Sequence, residues 1–265
     1  MSTFNPQAYW EERLGENMSL SGVGYGGMGQ SFNQWLYRVR RRVFGRVISL
    51  LDINVQESKV IDIGSGSGFY IERWREREVH TIVGTDLTRV SVDHLRKKFP
   101  EYQFFQIDIT GPLVHPLQDD FYDIATAFDV LFHIVDDPSY QMAIQNIYTI
   151  LKPGGWFIFS DNFLHGRAEK GHHQVSRSLE DITRCLEKCG FRIVRRLPMF
   201  FLMNDPIDQT NSLLRRGWRM IFGLFCKRNA VAFLWGMVLY PVELFLTRYL
   251  RESPTTEIMI SRKPK

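Results

Sequence analysis

Short apolar and β-branched runs alternate with amphipathic helical stretches through the middle of the chain. The runs are predicted to be strands over 59–63, 79–85, 102–107, 122–128 and 156–160, with a sixth beginning at 191–195. Helices are predicted after a glycine-rich turn to residue 75, and over 89–99, 140–151 and 178–189. This alternation predicts an α/β fold, a doubly wound, mostly parallel sheet with helices on both faces. Ligands of such sheets bind at the carboxyl ends of the strands.

Two regions lie outside this alternation. Residues 1–58 have helical character with a glycine-rich break at 22–29, and residues 199–255 are aromatic, apolar and basic. Strand character returns at Glu257–Arg262. We therefore predict a helical lid over 1–58, a sheet domain over 59–198 plus 256–265, and a helical cap insertion over 199–255. The last strand would complete a seven-stranded sheet as an antiparallel arm.

The composition of the 265 residues is that of an ordinary folded protein, with 44% hydrophobic and 23% charged residues. Three cysteines do not make a disulfide scaffold and suit a reducing compartment. The polar, acidic start of the chain lacks the basic and apolar regions of a secretory signal, so we expect a cytoplasmic protein. A net charge of +4 permits a nucleic-acid or membrane partner without indicating one.

Candidate chemistry starts at residues 60–69, which read VIDIGSGSGF. An apolar strand enters three glycines at alternate positions and then a helix. Glycine allows a positive φ and close approach of the backbone to a ligand. The dinucleotide pattern G-x-G-x-x-G is not met, because Phe69 stands where it needs glycine.

The G-x-G-x-G spacing after an acidic strand residue resembles the first motif of class I S-adenosylmethionine-dependent methyltransferases. Further similarities follow in the order typical of that family, including the segment Leu151-Lys152-Pro153-Gly154-Gly155 before the fifth strand. The resemblance covers roughly 59–198 plus the last strand. It implies a Rossmann-like fold with S-adenosylmethionine as cofactor and S-adenosylhomocysteine as product.

The resemblance also implies cofactor-binding residues. Asp62 would support the loop, Asp86 would accept hydrogen bonds from the ribose hydroxyls, and Asp108 would meet the adenine amino group. Neighbouring residues complete the implied set: Gly64, Ser65, Gly66, Gly68, Leu87, Ile109, Phe128, Asp129 and Val130. Each aspartate alone is equally compatible with an ordinary turn at a strand end.

Histidines beyond strand ends are the candidates for a catalytic base. His133 follows the fourth strand, while His172 and His173 follow the fifth, with His165 in the same loop. His133 is also compatible with a packing role. A metal site is not expected, because adjacent histidines seldom ligate one ion and no third ligand is spaced with them. Cys185 and Cys189 are one helical turn apart and are expected to pack in the core.

The N-terminal segment offers two candidate lid residues for the cofactor, Tyr25 and Arg38. The other arginines of the helix near residue 40 are expected to be solvated, opposite an apolar stripe formed by Leu36, Val39, Val43 and Val47.

The segment 213–250 has three interpretations, because basic residues precede an apolar run from 230 to 242. A cap over the active site, or a homodimer surface, is preferred. Peripheral contact with an anionic membrane comes second. A spanning helix comes last, because the apolar run is shorter than the ~20 residues required.

The function expected from these observations is methyl transfer to a small-molecule acceptor, with oxygen preferred because histidine bases suit hydroxyl groups. N-methylation and a nucleic-acid or protein acceptor remain alternatives. No nucleic-acid partner is expected, because Asp129-Val130-Leu131-Phe132 stands where an Asn/Asp-Pro-Pro-Tyr motif would bind a flipped base. A non-catalytic cofactor-binding or membrane-docked protein on the same fold is the alternative of another class.

Overall fold

A seven-stranded sheet forms the centre of the computed structural model, which describes residues 4–24, 28–115, 117, 119–171, 173–209, 211–226 and 228–265. Its order is β3-β2-β1-β4-β5-β9-β8, and β6 and β7 form a separate small hairpin. The strands are β1 (Lys59–Ile63), β2 (Thr81–Asp86), β3 (Gln103–Gln106), β4 (Tyr122–Ala127), β5 (Leu151–Asp161), β6 (Glu169–Lys170), β7 (Val175–Ser176), β8 (Arg192–Pro198) and β9 (Glu257–Arg262).

Helices cover both faces of the sheet. They are α1 (Pro6–Glu16), α2 (Leu20–Val23), α3 (Gln30–Ile48), α4 (Phe69–Arg75), α5 (Arg89–Lys98), α6 (Asp137–Ile150), α7 (Leu179–Lys188), α8 (Ser212–Phe225) and α9 (Asn229–Tyr249). A short 3₁₀ turn, Leu131–His133, follows β4. Successive β4 residues pack on opposite sides: Ile124 contacts the layer that contains α3, and Ala125 contacts the layer that contains α6 and α7.

The predicted fold class is confirmed. β9 runs antiparallel to both of its neighbours, β5 and β8, so that β8 and β9 form the closing hairpin with the insertion between their arms. The predicted Ser178 cap is present, because its hydroxyl oxygen accepts a hydrogen bond from the Asp181 amide at 3.0 Å. The domain boundaries remain a prediction.

One strand boundary needs correction. The segment Lys152–Gly155 ends α6 as expected, but it already belongs to β5, because Leu151 pairs with Tyr122 ahead of a register shift. The loop after β5 contains the β6–β7 hairpin, which the sequence did not indicate. Strands of two residues are too short to show alternation in a sequence.

Helix α9 packs along α3 on the outer side of the sheet. A Cβ atom on Gly236 would lie 2.3 Å from the Trp35 ring, so the two helices approach as closely as the missing side chain allows. By length and composition α9 is a candidate membrane span, with a mean hydropathy of 1.7 and 22% of its most apolar stretch buried in the protein. Its outward face is therefore largely uncovered.

Candidate active site

A cavity of about 440 Å³ opens at the carboxyl ends of the central strands. The glycine-rich loop after β1, Asp86 and Leu87 after β2, and Asp108 and Ile109 after β3 line one part of it. Phe128, Asp129 and Val130 after β4 line the part nearest the centre of the sheet. Apart from Asp62 and Gly68, which do not line it, the sequence-predicted cofactor residues of these four strand ends therefore lie around one cavity, as the topology of a parallel sheet requires.

The glycine-rich loop has a backbone that other residues could not adopt without strain. Gly64, Gly66 and Gly68 have φ values of +68°, +53° and +81°. The Gly64 and Ser65 amides donate to the Thr85 carbonyl at 2.8 and 3.0 Å, which folds the loop back onto the end of β2. The loop is thus held in one shape beside the cavity.

The Asp86 carboxylate joins the loop to the cavity. One oxygen accepts from the Gly66 amide at 2.8 Å, and the other accepts from the Thr88 amide and hydroxyl at 2.9 and 2.7 Å. Burial raises the pKa of Asp86, and its three hydrogen bonds oppose that shift. Asp86 therefore fixes the loop while lining the ligand space.

Asp62 and Asp108 have different surroundings. Asp62 is buried within β1 and accepts from the Thr126 hydroxyl at 2.6 Å, and burial raises its pKa to about 7. It does not line the cavity, which agrees with a supporting role. Asp108 is exposed and lines the cavity, with one oxygen accepting from the Thr110 amide and hydroxyl at 2.9 and 2.7 Å.

Replacing Gly64 by alanine should destabilise the protein and weaken cofactor binding. A Cβ atom there would lie 2.3 Å from Val130 Cγ2, in addition to the strain of a positive φ, which costs about 1–2 kcal/mol. Chemical denaturation and calorimetry with S-adenosylhomocysteine measure both effects. Adding Val130→Ala should recover part of the loss, whereas Gly217→Ala, where a Cβ meets nothing within 4 Å, should cost no stability. Equal stability of the Gly64 and Gly217 variants would contradict the steric account.

Asp129 is tied to the N-terminal segment by an ion pair with Arg40 of α3. Its φ of +59° is unusual for a residue with a side chain. Its amide donates to Ser160 Oγ at 2.8 Å, and the Ser160 hydroxyl donates to the Asp129 carboxylate at 3.1 Å. Burial alone would lower the pKa of Arg40, but Asp129 and two tyrosines raise it overall, so Arg40 remains charged.

Arg40 was predicted to be solvated and Arg38 to be a lid residue for the cofactor, but Arg40 is the buried residue of the two and Arg38 the exposed one, and neither lines the cavity. Arg38 is exposed, with its guanidinium 4.1 Å from the Trp35 ring centroid, and it does not line the cavity. Arg40 lies four residues after Leu36 and three before Val43, inside the apolar stripe of α3. This spacing in the sequence could have indicated that Arg40 is buried. Tyr25 lies outside the described residues.

His133 lines the cavity at the end of the 3₁₀ turn. Its Nδ1 lies 3.0 Å from the His173 carbonyl oxygen, which can only accept, so Nδ1 carries the proton and Nε2 keeps its lone pair. The Trp10 ring packs edge-on at 4.7 Å. Burial lowers the pKa of His133 to about 4, so the imidazole is neutral at physiological pH.

Two of the other predicted histidines, His165 and His173, do not line the cavity. His173 lies behind His133, with its ring stacked on Tyr9 at 5.1 Å. His165 is exposed and its Nδ1 lies 2.5 Å from Asp208, away from the cavity. His172 lies outside the described residues. Within the described chain, no group of three or more histidine, cysteine, aspartate or glutamate residues is placed to hold a metal ion.

The N-terminal segment supplies a wall of the cavity that the sequence did not specify. Phe4, Trp10, Leu14 and Val23 line it. The side chains of Glu11 and Arg13 hold this wall in place through hydrogen bonds to backbone groups. The Glu11 carboxylate accepts from the Arg89 and Val90 amides at 2.8 and 2.9 Å, and the Arg13 guanidinium donates to the Gly22 and Gly24 carbonyls at 2.8 and 3.0 Å.

The insertion does not cap the cavity, and the preferred prediction for it needs correction. None of the described residues of 199–255 lines the cavity. Its aromatic side chains pack on α3 and on one another instead, as in the contacts of Phe222 with Phe32 at 5.5 Å and of Trp35 with Tyr240 at 5.3 Å. Apolar composition alone does not tell which surface an insertion covers.

The described cavity fits the cofactor implied by the motifs. The carboxylates of Asp86 and Asp108 line it beside the backbone of the glycine-rich loop, and Ile109 and Phe128 add apolar surface. Carboxylate acceptors next to apolar surface suit a nucleoside, which offers hydroxyl and amino donors on an apolar ring system. Residues 35–196 match a family model described as a methyltransferase domain.

The chain belongs to this methyltransferase domain family. Within it, the seven-stranded sheet with one antiparallel strand is that of the class I S-adenosylmethionine-dependent enzymes. The cofactor of this family is S-adenosylmethionine.

Three proteins similar to this chain carry the names of different methyltransferases. The chain is 24% identical over 167 residues to a tRNA N(3)-methylcytidine methyltransferase of Schizosaccharomyces pombe, covering 59% of this chain and 50% of that protein. It is 29% identical over 120 residues to arsenite methyltransferase of Mus musculus, covering 40% and 31%. The chain thus spans half or less of these two relatives.

The third is a solved structure of Haemonchus contortus phosphoethanolamine N-methyltransferase 2 in complex with phosphomonomethylethanolamine and S-adenosylhomocysteine. It has a TM-score of 0.59 at 14% identity, covering 97% of this methyltransferase and 61% of that chain. At that identity the likeness shows the fold alone.

Proposed function

We propose that this methyltransferase transfers a methyl group from S-adenosylmethionine to an oxygen atom of a small-molecule acceptor with an apolar or aromatic part. The observation that carries the proposal is the set of apolar side chains that the N-terminal segment adds to the cavity wall. Phe4, Trp10 and Leu14 of this segment line the cavity together with neutral His133. The cavity of about 440 Å³ would hold the cofactor as well, so the space left for the acceptor suits a small molecule.

Different residues of the cavity would bind the two parts of the cofactor. Asp86, Asp108 and the glycine-rich loop would hold the nucleoside, while Asp129 and Phe128 would lie by the methionine part. S-adenosylmethionine, when bound, supplies an electrophilic methyl group on a positively charged sulfur. The chain must then place the acceptor atom in line with that methyl and exclude water, which the N-terminal wall favours.

His133 would orient the acceptor. Its unprotonated Nε2 can accept a hydrogen bond from a hydroxyl, because Nδ1 is engaged with the His173 carbonyl. A pKa of about 4 makes it a weak base, so it aligns the hydroxyl more than it removes the proton. As the oxygen gains the methyl, the bond from that methyl to sulfur breaks and leaves S-adenosylhomocysteine as a neutral thioether. The methylated oxygen is then strongly acidic, and its proton passes to Nε2 of His133 and from there to solvent.

His133→Phe should lower kcat by about 10-fold to 100-fold, since it removes this acceptor and leaves a ring of similar size. His133→Gln, which keeps an acceptor oxygen, should retain more activity. Calorimetry should give an unchanged dissociation constant for S-adenosylhomocysteine in both. Because the pKa of His133 is lowered to about 4, wild-type kcat should not fall through its protonation until the pH drops well below the ordinary histidine value of 6.5. Equal kcat for the phenylalanine variant and the wild type would contradict the role.

A nucleic-acid acceptor is the second candidate, favoured by the likeness to the tRNA-modifying relative. The charge of the cavity rim favours a small molecule instead. Asp108 and Asp136 line the cavity, and helix α1 beside it carries Glu11, Glu12 and Glu16 against Arg13. Carboxylates in these positions repel a phosphate backbone, which RNA-binding surfaces attract with basic residues.

The atom that receives the methyl group can be identified from the product. The protein is incubated with ¹³C-methyl-labelled S-adenosylmethionine and the ultrafiltrate of a cell extract, and carbon NMR separates O-methyl from N-methyl signals. We expect an O-methyl signal that Asp86→Ala abolishes. An N-methyl signal with the same dependence would overturn the choice of oxygen.

A further inference from the structure

We infer that helices α8 and α9 form a docking surface for an anionic lipid membrane, with α9 lying in the plane of the interface. This surface comprises the outward side chains of Ser212–Phe225 and Asn229–Tyr249. The inference concerns where the protein works and does not depend on which acceptor it methylates.

The outward face of α9 is apolar along most of its length. Every exposed residue of α9 between Ala230 and Leu246 is apolar, and the exposed fractions of Leu234 and Val238 are 56% and 59%. The exposed apolar members are Ala230, Phe233, Leu234, Met237, Val238, Pro241, Val242 and Phe245. Their spacing is that of one helix face.

Helix α8 extends the same kind of surface. Leu213, Leu214, Met220 and Leu224 are all more than half exposed. Monomeric soluble proteins rarely expose so many large apolar side chains in one segment, and such a concentration marks an interaction site.

The opposite face of α9 is tied to the body of the protein, which decides between lying on a membrane and crossing it. The buried Glu243 carboxylate accepts hydrogen bonds from the backbone amides of Phe201, Leu202 and Met203, at 2.6, 2.8 and 3.2 Å. Gly236 and Ala232 face α3 from the same side. A spanning α9 would have to give up these contacts, whereas an in-plane helix keeps them all.

The charges around the apolar face identify an anionic surface as the occupant. Arg216, Arg228 and Arg248 are exposed, and no carboxylate of the described residues lies within ion-pair distance of them. The one acidic residue between 212 and 250 is Glu243, which is buried and bonded to backbone amides. Arginines beside an exposed apolar stripe are the pattern of interfacial helices on anionic lipid.

A second copy of the chain fits less well. A two-fold dimer through this surface would place the same unpaired arginines of both copies around one apolar contact, with no exposed carboxylate in the segment to neutralise them. Anionic lipid headgroups supply the missing negative charge and also accept the apolar side chains.

Sedimentation with lipid vesicles tests the inference on the full chain. We expect the protein to pellet with vesicles of phosphatidylcholine and phosphatidylserine at about tenfold or more lower lipid concentration than with phosphatidylcholine alone. High salt after binding should release it, since a peripheral contact of this kind is partly electrostatic.

Two sets of variants distinguish vesicle binding through this surface from nonspecific adsorption. Leu234→Glu/Val238→Glu on α9, and independently Leu224→Glu on α8, should lower the vesicle-bound fraction about tenfold, because each places a charge in the apolar layer. Met142→Glu on α6, where the wild-type side chain is 50% exposed, should bind vesicles as the wild type does. Calorimetry with S-adenosylhomocysteine confirms folding of each variant.

Three results would overturn the inference. The first is a wild-type protein that stays in the supernatant with anionic vesicles. The second is a dimer by light scattering that Leu234→Glu/Val238→Glu converts to a monomer, without vesicle binding, which would assign the surface to a second copy. The third is protein that resists release by high salt and alkaline carbonate, which would favour a spanning helix.

Discussion

Replacing Asp86 by alanine should weaken binding of S-adenosylhomocysteine by about 100-fold or more. The substitution removes the acceptor predicted for the ribose hydroxyls. It also removes the partner of the Gly66 amide and of the Thr88 amide and hydroxyl. Both effects act on the cofactor, because the loop shape and the ribose contact depend on one carboxylate. Isothermal titration calorimetry measures the dissociation constant directly.

Two further variants serve as comparisons, one that removes only the charge of Asp86 and one that removes a carboxylate elsewhere. Asp86→Asn keeps one acceptor oxygen and should lose less affinity than the alanine variant. Asp93→Ala, at an exposed position of α5, should bind like the wild type. If Asp86→Ala and Asp93→Ala bind S-adenosylhomocysteine equally well, the cofactor does not occupy the cavity described here.

Replacing Arg40 by methionine should destabilise the protein by about 3 kcal/mol, the cost of leaving one member of a buried ion pair without its partner. The side chains of Arg40 and Asp129 are 10% and 21% exposed. Arg40 also contacts the Phe200 ring, with its guanidinium 5.0 Å from the centroid, so it connects three parts of the chain. Urea denaturation measures the free energy of unfolding.

The double variant Arg40→Met/Asp129→Asn should recover much of this loss, because it leaves no unpaired charge while Ser160 keeps its partner. Arg41→Met is the matched control on the same helix, since Arg41 is exposed in its pair with Glu76. A loss for Arg40→Met no larger than for Arg41→Met would show that the ion pair does not hold α3 to the sheet.

The parts of the site that could be predicted from the sequence depend on local patterns. Strands with β-branched runs and a glycine-rich turn define the ends of β1 and β2, and parallel topology then brings Asp86, Asp108 and Asp129 to one edge. No long-range information is needed for this step, because the carboxyl ends of neighbouring parallel strands always meet.

The parts that could not be predicted depend on how distant segments pack. Trp10 becomes a cavity wall only because Glu11 attaches α1 to the start of α5, a contact between residues far apart in sequence. The insertion looked like a cap because it is aromatic, but packing against Trp35 directs it to α3. The burial of Arg40 could have been predicted in part, since its spacing in the sequence places it within the apolar stripe of α3.

The N-terminal segment and the insertion therefore contribute to different functions. The N-terminal segment lines the cavity and would select the acceptor. The described residues of the insertion do not line the cavity, and they form an apolar face flanked by basic residues. Acceptor choice and membrane contact can accordingly be disrupted one at a time, by changes near Trp10 and near Leu234.

If this cavity uses S-adenosylmethionine to methylate a small molecule, the methyl group must appear on a small molecule of the cell. The most direct test incubates the protein with tritium-methyl-labelled S-adenosylmethionine and a cell extract separated into ultrafiltrate, RNA and protein fractions. We predict label in the ultrafiltrate fraction for the wild type and none for Asp86→Ala. Label in the RNA or protein fraction that disappears in Asp86→Ala, with none in the ultrafiltrate, would contradict the account.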